Sequence, residues 1–250
     1  MGSYVVYAPF SLIYAAAEAV KSPGVEFEIF DCRIETDWEE KLLAKLQSED
    51  ILMVGLSVMS GLPVAESATI TRMVKSCGDI PVVWGGAHPT ILPEETLLKG
   101  GADYCLRGFG SGSFAEMLQI LIDGATDDYE AMDAIDGLCY LRDGEPVVGH
   151  ICDAFEILPH EELPYHLVDP FIEKYFTNRN DRIFPIYTSS GCPYQCSFCI
   201  SPIWYRGVKK KWIAHDAGGI ADHIEHLIER YGIDTIYFYD DDSFRSEEQT

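Results

Sequence analysis

Residues 51–63, ILMVGLSVMSGLP, decide the fold of the first half of the chain. Residues 51–58 form an apolar run with little alternation, which is typical of a strand covered on both faces. Gly61 and Pro63 follow, and a helical pattern begins at the proline. The stretch therefore predicts a strand, a loop and a helix, the repeating unit of a parallel sheet.

Similar units lie on both sides of this stretch. The other candidate strands are residues 4–7, 25–31, 80–84 and 104–107, and the candidate helices are residues 11–20, 37–46, 63–76, 93–98 and 113–123. Five successive strand–helix units predict an α/β fold, a doubly wound parallel sheet of the Rossmann-like (flavodoxin-like) kind with right-handed crossovers. Ligands of such sheets lie outside the carboxyl ends of the strands.

Composition excludes several classes of partner. The 250 residues carry 18 basic and 41 acidic side chains, a net charge of −23, so no basic surface for nucleic acid is expected. No apolar run reaches about 18 residues, and the N-terminus lacks the pattern of a signal peptide. We therefore expect a cytoplasmic protein without a membrane partner. In that reducing compartment, clustered cysteines indicate metal binding or redox chemistry.

Three of the predicted strands end in loops suited to a ligand. The loops contain Ser57, Met59, Ser60 and Gly61 after one strand, Gly85 and Gly86 after the next, and Arg107, Gly108, Phe109 and Gly110 after the last. Each could be a structural turn, but three at one sheet edge indicate a binding site. The P-loop pattern is absent and GxGxxG does not follow the first strand, which disfavours nucleotide hydrolysis and dinucleotide binding.

The order of these motifs is similar to that of a known domain. The stretches YAPFSLIYAAAEAV, FDCR, GLSVMSG, VVWGGAHPTILPEE and DYCLRGFGSGSF, over residues 4 to about 123, resemble the cobalamin-binding domain of many radical S-adenosylmethionine (SAM) enzymes. The resemblance implies that the corrin ring lies across the carboxyl edge of the sheet. The implied cobalamin contacts are the loop residues named above together with Pro9, Phe10, Ser11 and Leu12.

Two departures from that family's pattern bear on the chemistry. Carriers that ligate cobalt from below use DxHxxG, but residues 8–12 here read APFSL, with no histidine. The lower face of cobalt should then meet a non-histidine side chain or water, which favours Co(I) and methyl transfer. Phe109 and Ser111 replace two acids of the usual RGEGE, which puts any role of those carboxylates in doubt.

A connector is predicted between about residues 126 and 180, after a cobalamin-binding domain at residues 1–125. It contains a β-hairpin around Asp143 and Gly144, followed by a proline-rich, acidic segment. His160 and His166 are expected to be solvated loop residues.

Residues 189–201, SSGCPYQCSFCIS, follow a candidate strand at 184–188 and hold Cys192, Cys196 and Cys199. A structural zinc site needs four ligands, and no second cysteine pair lies nearby. Three thiolates can instead hold three irons of a [4Fe-4S] cluster and leave the fourth iron open. The remaining cysteines are expected to be small buried hydrophobic residues: Cys32, Cys77, Cys105, Cys139 and Cys152.

The CxxxCxxC spacing, with Phe198 before the last cysteine, resembles that of the radical SAM superfamily. The resemblance implies that the open iron binds SAM, that one electron cleaves SAM to a 5′-deoxyadenosyl radical, and that Phe198 lies near the adenine. A helix at 217–231 and a strand at 233–239 follow, ending at Asp240 and Asp241. These acids either contact the amino group of SAM or form a solvated acidic run. Arg206, Lys209, Lys210 and Lys211 either contact a carboxylate or form a run of surface charges, and the surface run is the favoured interpretation.

Residues 181–250 are therefore expected to begin a (β/α) TIM-type radical SAM barrel, in a segment that is not catalytically competent alone. The leading hypothesis is a cobalamin-dependent radical SAM methyltransferase acting on an unactivated carbon. Cyclisation or rearrangement without methyl transfer is one alternative, and a cobalamin carrier or sensor with a vestigial cluster is another. The implied partners are a small-molecule or peptide-derived substrate and an external electron donor of the flavodoxin or ferredoxin type. The sequence does not assign the substrate or a catalytic residue.

Overall fold

The computed structural model describes residues 6–151, 157–176, 181–206 and 211–243. Residues 4, 5, 209 and 210 and Cys152, all subjects of sequence predictions, lie outside this range. Contacts divide the chain into two compact units. We call Lys21–Gly24 with Asp37–Ala154 the sheet unit, and Met1–Val20, Val25–Thr36 and Phe155–Thr250 the cysteine unit. The domain boundaries derived from the sequence stay a prediction.

The sheet unit is built on one five-stranded sheet. Its strands follow the order β1 (Val54–Ser57), β2 (Val82–Gly85), β3 (Tyr104–Leu106), β4 (Leu138–Arg142) and β5 (Glu145–Val148). β1, β2 and β3 are parallel, whereas β4 pairs antiparallel with β3, and β5 pairs antiparallel with β4. The α/β fold with a parallel sheet is thus confirmed. The predicted hairpin forms as well, and it pairs with the sheet.

Helices cover the sheet and link its strands. In chain order along both units they are α1 (Phe10–Ala16), α2 (Trp38–Ser48), α3 (Leu62–Cys77), α4 (Ala87–Ile91), α5 (Pro93–Glu95), α6 (Ser111–Ile122), α7 (Tyr129–Asp133), α8 (Ser201–Trp204) and α9 (Ala217–Tyr231). A π-helical turn spans Thr96–Gly100, and 3₁₀ turns span Ala19–Lys21, His160–Glu162, Tyr165–Leu167 and Asp169–Tyr175. Trp84 of β2 is fully buried, and its indole N–H donates to the Thr71 hydroxyl of α3 at 3.0 Å. None of the helices in the described part of the chain has the length and apolar character to cross a membrane.

The prediction of a strand at residues 25–31 is wrong. This segment has no ladder partner among the described residues. Its apolar side chains Phe27 and Ile29 pack instead against the core of the cysteine unit. Asp31 is held by Arg33 and by the hydroxyl of Tyr175, which donates at 2.6 Å. Packing with distant residues therefore overrides a local preference for strand. Residues 6 and 7, the described part of the other missing strand, are not in a strand either.

The cysteine unit contains two short sheets. β6 (Ile183–Ile186) pairs in parallel with β9 (Thr235–Phe238), and α9 connects them. β7 (Ser189–Ser190) pairs antiparallel with β8 (Ile213–Ala214). Phe184 and Ile186 of β6 and Leu227 of α9 have no exposed surface, so the crossover helix packs onto the strand pair.

A histidine cluster lies beside α9 in the cysteine unit. The His160 ring stacks on that of His223 with centroids 5.4 Å apart and lies 5.0 Å from the His226 ring. The Tyr165 hydroxyl and His223 Nε2 share a hydrogen bond. The expectation of a solvated His160 is therefore wrong, because its side chain is only 14% exposed. His166 is exposed, as predicted.

This cluster predicts a loss of stability at acid pH. Burial, with His160, His215 and His226 nearby, lowers the pKa of His223 to about 3. The unfolded chain binds this proton below its ordinary pKa of about 6.5, whereas the folded chain does not until about pH 3. The contribution of His223 to the free energy of unfolding is therefore fully present above about pH 6.5. It falls by up to about 1.4 kcal/mol per pH unit as the pH drops from about 6.5 towards about 3.

Urea unfolding between pH 7 and pH 5 measures this effect. His223→Gln should reduce the pH dependence of the unfolding free energy, because it removes the titrating group. His166→Gln, at an exposed position, should leave that dependence unchanged. Equal slopes for the wild type and His223→Gln would contradict the assignment.

Candidate functional site

Main-chain hydrogen bonds hold the loops after β1 and β2 together. The Val58 amide donates to the Gly85 carbonyl at 2.8 Å, and the His88 amide donates to the Val58 carbonyl at 3.0 Å. Gly86 has φ +99°, and a Cβ there would lie 3.1 Å from the Val58 carbonyl oxygen. Glycine therefore permits both the backbone angle and this close approach. The structure thus brings the predicted contacts at 57–61 and 85–86 to one place.

Thr90 connects the third loop to the first two, and sequence reasoning missed it. Its buried hydroxyl donates to the Gly86 carbonyl at 2.7 Å and accepts from the Gly108 amide at 3.1 Å. A threonine four residues after a helix-capping glycine commonly bonds back to that residue's carbonyl, which is the signal that could have found it. The three predicted loops therefore form one hydrogen-bonded edge of the sheet unit.

Arg107 is engaged in holding this edge. Its Nε donates to the Thr90 carbonyl at 3.1 Å and an Nη donates to the Gly149 carbonyl at 2.7 Å. Its amide donates to the Gly137 carbonyl at 2.9 Å. Of its neighbours, Gly110 precedes α6 and accepts from the Phe114 amide at 2.7 Å. The arginine thus ties the loop after β3 to the hairpin end of the sheet.

A cavity of about 350 Å³ opens beside the same edge. This volume falls at the lower end of the range of small-molecule sites, roughly 300–1,000 Å³. Its lining residues come from the first half of α3 and the glycine before it, from β2, α4 and α5, and from the π-helical turn: Gly61, Val64, Ala65, Ala68, Trp84, His88, Glu95, Thr96, Lys99 and Gly100.

The residues predicted as contacts before and within α1 lie in the cysteine unit. Pro9 and Phe10 are buried, and the Phe10 ring lies 5.2 Å from that of Tyr14 and 5.3 Å from that of Tyr187. Ser11 is exposed and Leu12 is half-buried. Phe10 therefore contributes to the core of this unit.

Gly191 positions the start of the cysteine loop. It follows β7 directly, has φ +99°, and a Cβ there would lie 2.2 Å from the Lys211 carbonyl oxygen and 3.0 Å from Trp212 Cα. Only glycine fits so near this backbone. The loop with the three thiols therefore leaves the β7–β8 pair at a point fixed by backbone contact.

The three predicted ligands lie in the loop between β7 and α8. Cys196 is exposed, and Cys192 and Cys199 are half-buried; none is in a disulfide. The Cys199 amide donates to the Cys196 carbonyl at 3.1 Å, and the Ser201 amide donates to Cys199 Sγ at 3.5 Å. Within the described ranges, no three His, Cys, Asp or Glu side chains converge on a point where they could hold a metal ion. The thiols thus share one loop without converging.

The side chain of Phe198 projects from this loop with 90% of its surface exposed. Phe198 lies between Cys196 and Cys199 in the sequence of this loop. Its predicted contact with the adenine of SAM stays a prediction.

Asp240 ties the end of β9 to the end of β6. Its Oδ1 accepts from the amides of Thr188 and Ser189 at 2.7 and 3.0 Å, and its Oδ2 accepts from the hydroxyls of Thr188 and Ser243 at 2.5 and 2.8 Å. Asp241 Oδ2 accepts from the Tyr205 hydroxyl, and burial together with this carboxylate raises the pKa of that tyrosine. The acidic strand end thus braces the segment that leads into the cysteine loop.

Comparison with known families gives a match over the part of the chain that contains this edge. The B12 binding domain family matches residues 9–118, which include all three loops. This stretch of the chain is therefore similar to B12-binding domains. The match begins at Pro9, directly before α1 of the cysteine unit, and ends in α6 of the sheet unit.

Two curated relatives are named as methyltransferases. The chain is 28% identical over 185 residues to the uncharacterized methyltransferase PH0819 of Pyrococcus horikoshii, covering 70% of this chain and 37% of that protein. It is 24% identical over 192 residues to the hopanoid C-3 methylase of Methylococcus capsulatus, covering 76% of this chain and 35% of that protein. The chain spans little more than a third of the length of these relatives.

Solved structures share the fold over nearly the whole chain. The radical SAM methyltransferase TsrM of Kitasatospora setae, with tryptophan substrate and a SAM analogue bound, matches with a TM-score of 0.72 and 21% identity, over 94% of this chain and 45% of that one. The cobalamin-dependent SAM radical enzyme OxsB matches with a TM-score of 0.68 and 18% identity, over 93% and 31%. Over the matched residues, this chain therefore shares its fold with both of these solved structures. This agrees with the fold class expected for both parts of the sequence.

Proposed function

We propose that the chain forms the cobalamin-binding and cluster-binding parts of a cobalamin-dependent radical SAM methyltransferase. The observation that carries the proposal is the combination of a B12-binding domain with a CxxxCxxC loop in a fold shared with TsrM over 94% of the chain. Methyl transfer draws support from the names of both curated relatives, and a carbon acceptor draws support from the name of the hopanoid C-3 methylase. An unactivated carbon as the acceptor is part of the proposal.

The sheet edge suits a large planar cofactor. Its loops are fixed by main-chain hydrogen bonds, so they need little ordering when a ligand binds, which lowers the entropic cost of binding. Gly61 and Gly85, where an added Cβ would meet no atom within 4 Å, let a ring approach the backbone closely. We propose that this edge contacts the corrin and that the cavity beside it takes part of the nucleotide tail.

The donor set of the cysteine loop fits a [4Fe-4S] cluster with one open iron. Three unpaired thiols at this spacing supply three iron ligands and leave one coordination position for SAM. When bound, the cluster would supply the electron that cleaves SAM, and cobalamin would supply the methyl group. An external one-electron donor of the flavodoxin or ferredoxin type follows from that chemistry.

Three further residues receive proposed roles. Phe198, with its exposed ring, would cover the adenine of SAM. Asp240 has both oxygens engaged by the chain, so we propose that it positions the cysteine loop rather than binding SAM directly. Asp241 would contribute to SAM binding near Tyr205.

A second candidate is a cobalamin carrier whose cysteine loop binds no cluster. The observation that favours it is that the three thiols, in the described part of the chain, do not converge on a metal position. Anaerobic reconstitution followed by iron, sulfide and cobalamin analysis separates the two functions. The enzyme should hold about four irons and four sulfides per chain together with cobalamin. Cobalamin binding without iron would establish the carrier.

Filling the cavity should weaken cobalamin binding. Ala68 lines the cavity from α3, and leucine at this position adds volume inside it. We expect Ala68→Leu to raise the dissociation constant about tenfold or more, because lost contacts worth ~1.4 kcal/mol change affinity tenfold. Cobalamin titration followed by absorbance measures this.

Glu66→Leu is the matched control, since Glu66 is an exposed residue of α3 that does not line the cavity. Its affinity should match that of the wild type. Unchanged affinity in Ala68→Leu would show that the cavity takes no part of the cofactor.

A further inference from the structure

Met59 is an exposed apolar side chain at the ligand edge of the sheet unit. It has 60% of its surface exposed, two residues beyond the end of β1. Ligands of open α/β sheets lie outside the carboxyl ends of the strands, so the side chain lies where the ring is expected. A ring bound at this edge would cover the side chain of Met59.

The residues on both sides of Met59 are fixed. Val58 is fully buried, and its amide and carbonyl bond to Gly85 and to the His88 amide. The Ser60 hydroxyl lies 3.3 Å from Nδ1 of His88. The backbone at position 59 is therefore held between two anchors, while its side chain projects outward.

The nearby histidine is turned inward. His88 is only 8% exposed and one ring nitrogen faces Ser60, so it does not offer an imidazole to the outer surface of the edge. Ser57 and Ser60 are exposed but short. Among the loop residues 57–61, Met59 is the one whose side chain is long enough to reach across the ring.

We propose that Met59 covers cobalt on the lower face of bound cobalamin, the face turned toward the sheet. The inference rests on the proposed cobalamin binding. A thioether is a soft, uncharged and weak donor, so it excludes water from the metal without giving it a strong nitrogen ligand. Met59 would thereby keep cobalt without the lower imidazole that carriers supply.

Nitrogen labelling tests the position directly. Met59→His is prepared with ¹⁵N-labelled histidine, loaded with cobalamin, reduced to the Co(II) form and examined by electron paramagnetic resonance. A bond from the new imidazole to cobalt should appear as a two-line splitting from one ¹⁵N nucleus. Wild type and Leu62→His should lack that splitting; Leu62 is 73% exposed and lies three residues away at the start of α3.

Truncation gives a second, independent measurement. Met59→Ala should admit water to the lower face and shift the Co(II) spectrum toward a five-coordinate form with an oxygen ligand. Leu62→Ala should leave the spectrum unchanged. Because Met59 is largely exposed, both of its variants are expected to fold.

The outcomes separate this inference from the proposed function. If wild type binds no cobalamin, the proposed function fails. If wild type binds cobalamin, four results would overturn the inference alone. Three concern nitrogen: no ¹⁵N splitting in Met59→His, such splitting in Leu62→His, or nitrogen splitting in wild type. The fourth is an unchanged Co(II) spectrum in Met59→Ala.

Discussion

Alanine in place of Cys192, Cys196 or Cys199 is expected to abolish the formation of 5′-deoxyadenosine from SAM while cobalamin stays bound. Each substitution removes one of three proposed iron ligands, and two thiolates do not retain a [4Fe-4S] cluster with an open iron. The loops proposed to contact the corrin in the sheet unit contain none of these cysteines. The full-length enzyme, reconstituted anaerobically, is assayed for 5′-deoxyadenosine, iron and bound cobalamin.

Cys77→Ala is the matched control. Cys77 is a half-buried free thiol at the end of α3, away from the cysteine loop in sequence and in its contacts. We expect this variant to keep its iron content and its rate of SAM cleavage. Persistent cleavage in any of the three loop variants would mean that the cluster assignment is wrong.

Gly191→Ala should destabilise the cysteine unit and lower its iron content. An added Cβ would meet the Lys211 carbonyl oxygen at 2.2 Å, and φ is +99°. Left-handed strain costs about 1–2 kcal/mol and overpacking a further ~1–3 kcal/mol, so we expect a loss of roughly 3 kcal/mol in unfolding free energy. Relief of the clash moves the loop away from β8, which displaces Cys192. Urea unfolding and iron analysis after reconstitution measure both effects.

Gly24→Ala separates strain from collision. Gly24 also has a positive φ, +78°, but a Cβ there meets no atom within 4 Å. This variant should lose only the ~1–2 kcal/mol of left-handed strain and keep its iron. Equal destabilisation of the two variants would show that contact with β8 does not constrain the loop.

Patterns of neighbouring residues predicted much of the fold. The apolar runs before Ser57, Gly85 and Arg107 gave three parallel strands, and the turn at Asp143–Gly144 gave the hairpin. The amphipathic period of residues 217–231 matches α9. These elements depend on period and turn chemistry, which neighbouring residues determine. The strand prediction for residues 25–31 failed for the opposite reason, because these residues pack against distant residues and do not pair with another described strand.

Only the tertiary structure revealed how the predicted loops are held. Thr90 joins Gly86 to Gly108, Asp240 joins β9 to β6, and His160 meets His223 across a long stretch of chain. Each of these contacts joins residues that the chain must fold to bring together, so no local pattern encodes them.

The sequence by itself therefore determined which chemical groups are present: glycine-rich loops at strand ends, no histidine at residues 8–12, and three thiols in CxxxCxxC. Tertiary structure decided which of them are fixed by the fold and which face outward. Arg107 and Asp240 turn inward to hold the backbone, whereas Met59 and Phe198 remain exposed. The physical reason is that buried main-chain polar groups must be satisfied, and Arg107 and Asp240 bond to such groups.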